Sequence, residues 1–136
     1  MTAESTQNST TLSAEVRAEI DRWLAKYPPE RKASAVLAAL SCVQEHHGGS
    51  LTPDLMDSVA AYLEMPNIAV YEVASFYSMF DLKPVGRHKI SVCTNISCLL
   101  RGGESVQRYI EAKLGIQAGQ TTPDGRISLK VEEECL

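Results

Sequence analysis

Apolar residues recur at helical spacing through the longer first part of the chain, then alternate with polar ones towards its end. Val16, Ile20, Trp23, Leu24 and Tyr27 form the first helical stripe. Ser13 is placed as its N-cap, Glu15 and Glu19 sit in its early turns, and Pro28–Pro29 stops it. A second helix is expected from Glu30 to His47, with Val36, Leu37, Leu40 and Val43 facing the core and Gly48–Gly49 ending it. Thr52 followed by Pro53 opens a third, whose stripe is Leu55, Met56, Val59, Ala60 and Leu63. The segment Asn67–Phe80 is long, apolar and aromatic and reads as a helix buried on more than one side.

Lys83-Pro84-Val85-Gly86-Arg87 then breaks the pattern. His88–Cys93 alternates as a strand, with Ile90 and Val92 on one face. Gly102–Gly103 leads into a helix carrying Val106, Tyr109, Ile110 and Leu114, and Pro123-Asp124-Gly125 reads as a turn. Ile127, Leu129 and Val131 alternate with Ser128, Lys130 and Glu132 in a half-buried strand that ends at Cys135. The pattern therefore predicts an α+β chain. A polar tail at 1–12 rich in Ser and Thr reads as disordered, a helical bundle covers 13–82 and a small α/β unit covers 87–136. One strand, one helix and one strand leave a sheet with little to cover it, so the second unit reads as incomplete.

Composition removes several functions. With 17 acidic against 13 basic residues in 136, the net charge of −4 leaves no basic footprint for nucleic acid. Every apolar run is much shorter than the ~20 residues a spanning helix needs, which predicts a soluble chain. The first twelve residues hold no Lys or Arg, so they read as neither a secretory signal nor an Arg-rich transit peptide. No nucleotide-binding glycine loop and no nucleophile–base pair stands out.

The four cysteines carry the chemistry. Without a signal peptide, they point to metal, cluster or redox roles or to core packing rather than to a disulfide frame. Cys93 and Cys98 form a C-x4-C loop after a strand, and Cys135 ends the next strand. Strands in one sheet would gather these thiols at one edge. A [2Fe–2S] cluster needs four thiolates, two per iron, and a C-x4-C loop suits one iron. Structural zinc and inert buried thiols remain open on the same pattern. Cys42 and His46, four apart on one helical face, make a poor zinc site as a pair; His46 and His47 read as partners of the helix C-terminus.

The segments Val70–Phe80, Ser91–Gly103, Gly119–Arg126 and Val131–Leu136 resemble, in order and spacing, the [2Fe–2S] E-subunit family of NADH–quinone oxidoreductases. The resemblance spans about Ser13 to Leu136 and implies a helical N-terminal domain followed by a thioredoxin-like α/β domain, here incomplete. It implies a [2Fe–2S] electron-transfer subunit of an oxidoreductase. Such a subunit sits next to a flavin subunit that binds FMN and NADH, and near a larger iron–sulfur subunit. The family's ligand pattern is C-x4-C, a long gap, then C-x3-C. Cys93, Cys98 and Cys135 match its first three members, and the fourth would fall beyond Leu136, as in a C-terminally truncated sequence. The chain would hold no complete active site of its own. Its expected place is the cytoplasmic side of a bacterial inner membrane, touching the membrane only through the complex. The corresponding subunits of NAD-linked hydrogenases and formate dehydrogenases, and a zinc-stapled or metal-free interaction module, are the alternatives.

Overall fold

The computed structural model describes residues 12–132. The chain divides into two compact units, Met1–Lys83 and Pro84–Leu136.

The first unit is helical. Helix α1 is Ala14–Leu24, α2 is Val36–His46, α3 is Pro53–Leu63 and α4 is Asn67–Phe76. Ser13 caps α1 as expected, its hydroxyl accepting the Val16 N–H at 3.3 Å. Thr52 does the same for α3 through the Leu55 N–H at 3.3 Å, with Pro53 at the first helical position. The helix expected from Glu30 does not begin there. Residues Pro29–Ala35 form a 3-10 segment with Arg31 at φ −117°, and regular α-helix starts only at Val36. Pro28 is held extended ahead of Pro29, and Arg31, at φ −117° and ψ 35°, breaks the winding before a regular helix can propagate.

The core joins Val16 and Ile20 of α1 to Ala39, Leu40 and Val43 of α2, Leu55, Val59 and Leu63 of α3, and Val70 and Ala74 of α4. Leu12, at the end of the expected tail, is buried in this core, whereas residues 1–11 lie outside the described residues. Trp23 departs from its stripe and is 37% exposed, with the Lys26 ammonium 3.6 Å above its ring.

Helix α4 is shorter and barer than its sequence implies. It ends at Phe76, and only Val70 and Ala74 are buried on it. Ile68 is 68% and Phe76 78% exposed. Gln44 sets this end. Its side chain donates to the Met79 carbonyl at 3.0 Å and accepts the Asp81 N–H at 2.8 Å. The chain is thereby turned out of the helix and Phe80 is carried into the core.

The second unit holds strand β1 (His88–Cys93), helices α5 (Ile96–Leu100) and α6 (Gly103–Leu114), and strand β2 (Ile127–Glu132). The strands pair in parallel, His88 opposite Ile127 through Cys93 opposite Glu132. A parallel pair needs a crossover, and the helices lie in it. Val92, Ile116 and Leu129 are buried, with Ile90, Ile110 and Leu114 packed against them. Val106 and Tyr109, expected in the α6 stripe, are 52% and 64% exposed. Ser128, expected on the open face of β2, is 6% exposed. Its hydroxyl accepts the Gly86 N–H at 2.6 Å and bonds the Thr121 hydroxyl at 2.6 Å, which satisfies it in place of water. Pro123–Gly125 turns as expected. Asp124 accepts from the Thr122 hydroxyl and the Arg126 N–H, and these bonds hold its carboxyl below the usual range.

Leu40 is fully buried at the centre of the helical unit. Leu40→Ala is expected to destabilise that unit by about 2–5 kcal/mol, read as a lower urea midpoint at unchanged slope.

Candidate functional site

Both strands of the second unit leave the sheet at the same edge, because they are parallel. Cys93 is the last residue of β1 and stands beside Glu132, the last of β2. The Thr94 N–H extends this pairing by donating to the Glu132 carbonyl at 3.1 Å. Loops leaving the carboxyl ends of parallel strands are where open α/β sheets place ligands.

The loop after β1 is more structured than its spacing suggests. Asn95 is extended and its side-chain oxygen accepts the Ile96 N–H at 2.7 Å, which starts α5. Cys98 therefore lies inside a short helix, not just before one. Gly102, at φ +95°, ends that helix and turns the chain into α6. Gly103 then packs against the loop's own backbone. A Cβ at residue 103 would lie 2.7 Å from the Cys93 carbonyl oxygen and 2.9 Å from that of Cys98. Only glycine admits this approach.

The loop thus folds back on both cysteines and sets the first turn of α6 against their peptide groups. The N-terminal end of α6, where a helix carries the positive end of its dipole, therefore lies against the Cys93 and Cys98 carbonyls. Cys93 and Cys98 are each partly exposed. Around them Ile96 is 75%, Leu99 47% and Leu100 81% exposed, so apolar side chains ring the loop in water. Arg101 is exposed beside them. Cys135 lies outside the described residues.

Cys42 belongs to the other unit, buried on α2. The two histidines behave as helix-end partners. His46 Nδ1–H donates to the Cys42 carbonyl and His47 Nδ1–H to the Val43 carbonyl, both at 2.9 Å. What the sequence did not reveal is Glu19. It comes from α1, and its carboxylate accepts the Cys42 S–H at 3.3 Å. Burial, then this bond, pushes the Cys42 thiol up to about 12. A pairing between two helices twenty-three residues apart leaves no local signal in the chain.

Residues 20–136 match the family model described as thioredoxin-like [2Fe-2S] ferredoxin. The chain is 48% identical over 111 residues to the NADH-quinone oxidoreductase E-subunit of Rickettsia bellii (strain RML369-C), covering 82% of this chain and 66% of that protein. The E-subunit of Rickettsia prowazekii (strain Madrid E) is 46% identical over 111 residues, with 62% of it covered. The second NADH-quinone oxidoreductase E-subunit of Rhizobium meliloti (strain 1021) is 40% identical over 121 residues, 89% of this chain and 70% of that protein. The chain spans slightly less than two thirds of the length of the Rickettsia relatives.

Two outcomes follow from the geometry. Gly103→Ala must push the backbone of Cys93 and Cys98 apart from α6. It is expected to cut the iron retained after anaerobic reconstitution with iron and sulfide by about tenfold, while thermal unfolding of the helical unit stays unchanged. Cys42 has its thiolate suppressed until the pH nears 12. Its alkylation by iodoacetamide at pH 8 is expected to run about a hundredfold or more below an ordinary thiol. The rate should climb about tenfold per pH unit above that, followed by mass spectrometry of the Cys42 peptide.

Proposed function

The chain belongs to the thioredoxin-like [2Fe–2S] ferredoxin family, and from that premise we propose that it is an electron-transfer subunit of an NADH–quinone oxidoreductase. Cys93, Cys98 and Cys135 are the proposed ligands of its [2Fe–2S] cluster. The observation that carries the reading is the closure of the Cys93–Cys98 loop on Gly103, with both cysteines held against one helix start.

The donor set fits such a cluster. It takes sulfur ligands, two per iron, and the C-x4-C loop offers two from one turn of chain. The parallel register brings Glu132, three residues before Cys135 in the sequence, beside Cys93. A bound cluster supplies one-electron chemistry at potentials set by hydrogen bonds, charge and exposure. The protein's part is to hold and tune. Cys93 and Cys98 bind as thiolates, giving up their protons. The α6 N-terminus and Arg101 favour the negative charge that then accumulates. Ile96, Leu99 and Leu100 give a partner a dry surface over the loop, which shortens the path for an electron and excludes water.

The partner that fits this role is a flavin subunit that binds FMN and oxidises NADH, with a larger iron–sulfur subunit of the same complex beyond it. The reading places the protein on the cytoplasmic side of a bacterial inner membrane, attached through the complex. Among the described residues no helix is long and apolar enough to cross a membrane itself. The names of the Rickettsia and Rhizobium relatives favour this assignment over hydrogenase or formate dehydrogenase counterparts.

The test is spectroscopic. After anaerobic reconstitution, dithionite should produce a [2Fe–2S] EPR signal together with bleaching of the visible absorbance. Cys93→Ser and Cys98→Ser should each abolish or reshape it, with docking to the flavin subunit retained. Colourless protein that carries zinc on Cys93 and Cys98, lost in Cys93→Ser, would favour the zinc-stapled module instead and sink the assignment. Reading the coding sequence past Leu136 for a cysteine at C-x3-C spacing from Cys135 checks the fourth ligand.

A further inference from the structure

Two helices of the first unit bring three unlike donors together. Glu19 on α1 and Cys42 and His46 on α2 place a carboxylate oxygen, a thiol sulfur and an imidazole nitrogen within 4.8 Å of one another. The Cys42 sulfur lies 3.3 Å from Glu19 Oε2 and 3.9 Å from His46 Nδ1. In a tetrahedral zinc site, bonds of about 2.0–2.3 Å put a sulfur and an oxygen or nitrogen ligand about 3.6 Å apart. The two separations from the sulfur bracket that value, and the third side, from Glu19 to His46, lies within 4.8 Å, so a turn of the exposed His46 ring closes the triangle.

We propose that Glu19, Cys42 and His46 form a zinc site in the helical unit, made without the cysteines of the second unit. The ligand chemistry selects the ion. One thiolate, one imidazole and one carboxylate suit zinc, and their two negative charges neutralise a divalent cation. A cavity of about 400 Å³, walled by Glu19, Trp23, Tyr27, Cys42 and Glu45, adjoins the donors. It leaves the fourth position open to water, as in zinc sites with three protein ligands.

Binding balances in a simple way. The Cys42 S–H bond breaks, its proton leaves to solvent, and the sulfur bonds zinc. The Glu19 carboxylate, freed from accepting that proton, bonds the ion through the same oxygen. His46 is exposed. Its Nδ1 lets go of the Cys42 carbonyl, the ring proton moves to Nε2, and Nδ1 turns to the metal. Val16 and Ile20 of α1 and Ala39 and Val43 of α2 stay packed throughout, so the site is preorganised by the core beneath it.

The full chain is titrated with zinc against a chromophoric chelator, and the zinc-edge X-ray absorption of the one-to-one complex is recorded. One bound zinc with a single sulfur among nitrogen and oxygen neighbours is expected. His46→Gln and Glu19→Gln should each weaken binding about tenfold or more, and Cys42→Ser at least as much. Zinc should also raise the unfolding temperature of the parent chain and not that of His46→Gln. His46 is at the surface, so its variant tests the site without a folding penalty. A shell without sulfur or with several sulfurs overturns the proposal. So does His46→Gln or Cys42→Ser binding zinc as tightly as the parent.

Discussion

A side chain at residue 103 has nowhere to go: its Cβ would lie inside contact distance of the carbonyls of both Cys93 and Cys98. That exclusion lets the chain leave β1, wind through α5 and return a helix start against the peptide groups it has just left. The parallel pairing supplies the other half of the arrangement. With Cys93 opposite Glu132, both strands deliver their ends to one edge. The thiols then sit on loops held by rigid elements, while the backbone behind them is already in place. Gly102 at φ +95° and Asn95 as a cap are subordinate devices that make the turn fit.

The two units reach stability differently. The first buries a continuous apolar core from Leu12 to Phe80 and holds the end of α4 with the Gln44 amide. Among its described residues, the second has a core of just Val92, Ile116 and Leu129. It leans on local polar contacts, such as the Ser128 hydroxyl bonded to Gly86 and Thr121, and on the Asp124 turn. It also leaves Ile96, Leu99, Leu100 and Tyr109 in water. A small core with an apolar rim is what a unit completed by contact with other protein presents.

Much of this is legible in the chain. The caps at Ser13 and Thr52, the breaker segment before Arg87, the period-two strand ending at Cys93 and the C-x4-C loop all follow from local chemistry that each residue carries with it. Two departures come from what neighbours do. Pro28–Pro29 stops one helix, and Arg31, off helical φ/ψ, interrupts the next, so a 3-10 segment stands where α-helix is expected. Asn67–Phe80 has the composition of a buried helix, yet on α4 only Val70 and Ala74 are buried, with Tyr71 and Val73 half-buried against the core and Ile68 and Phe76 left in water. Apolar content says a residue would gain by burial; it does not say that a neighbour is there to bury it.

The sequence by itself determined the helical and α/β halves, the starts of α1 and α3, the strand periods and the spacing of Cys93 and Cys98, because each depends on residues a few positions apart. Tertiary structure alone decided which strand lies beside Cys93, why residue 103 has to be glycine, and that Glu19 meets Cys42 and His46. Those relations join residues that only packing brings close. A contact between α1 and α2 has no period and no motif, and it becomes visible only when the core has set one helix against the other.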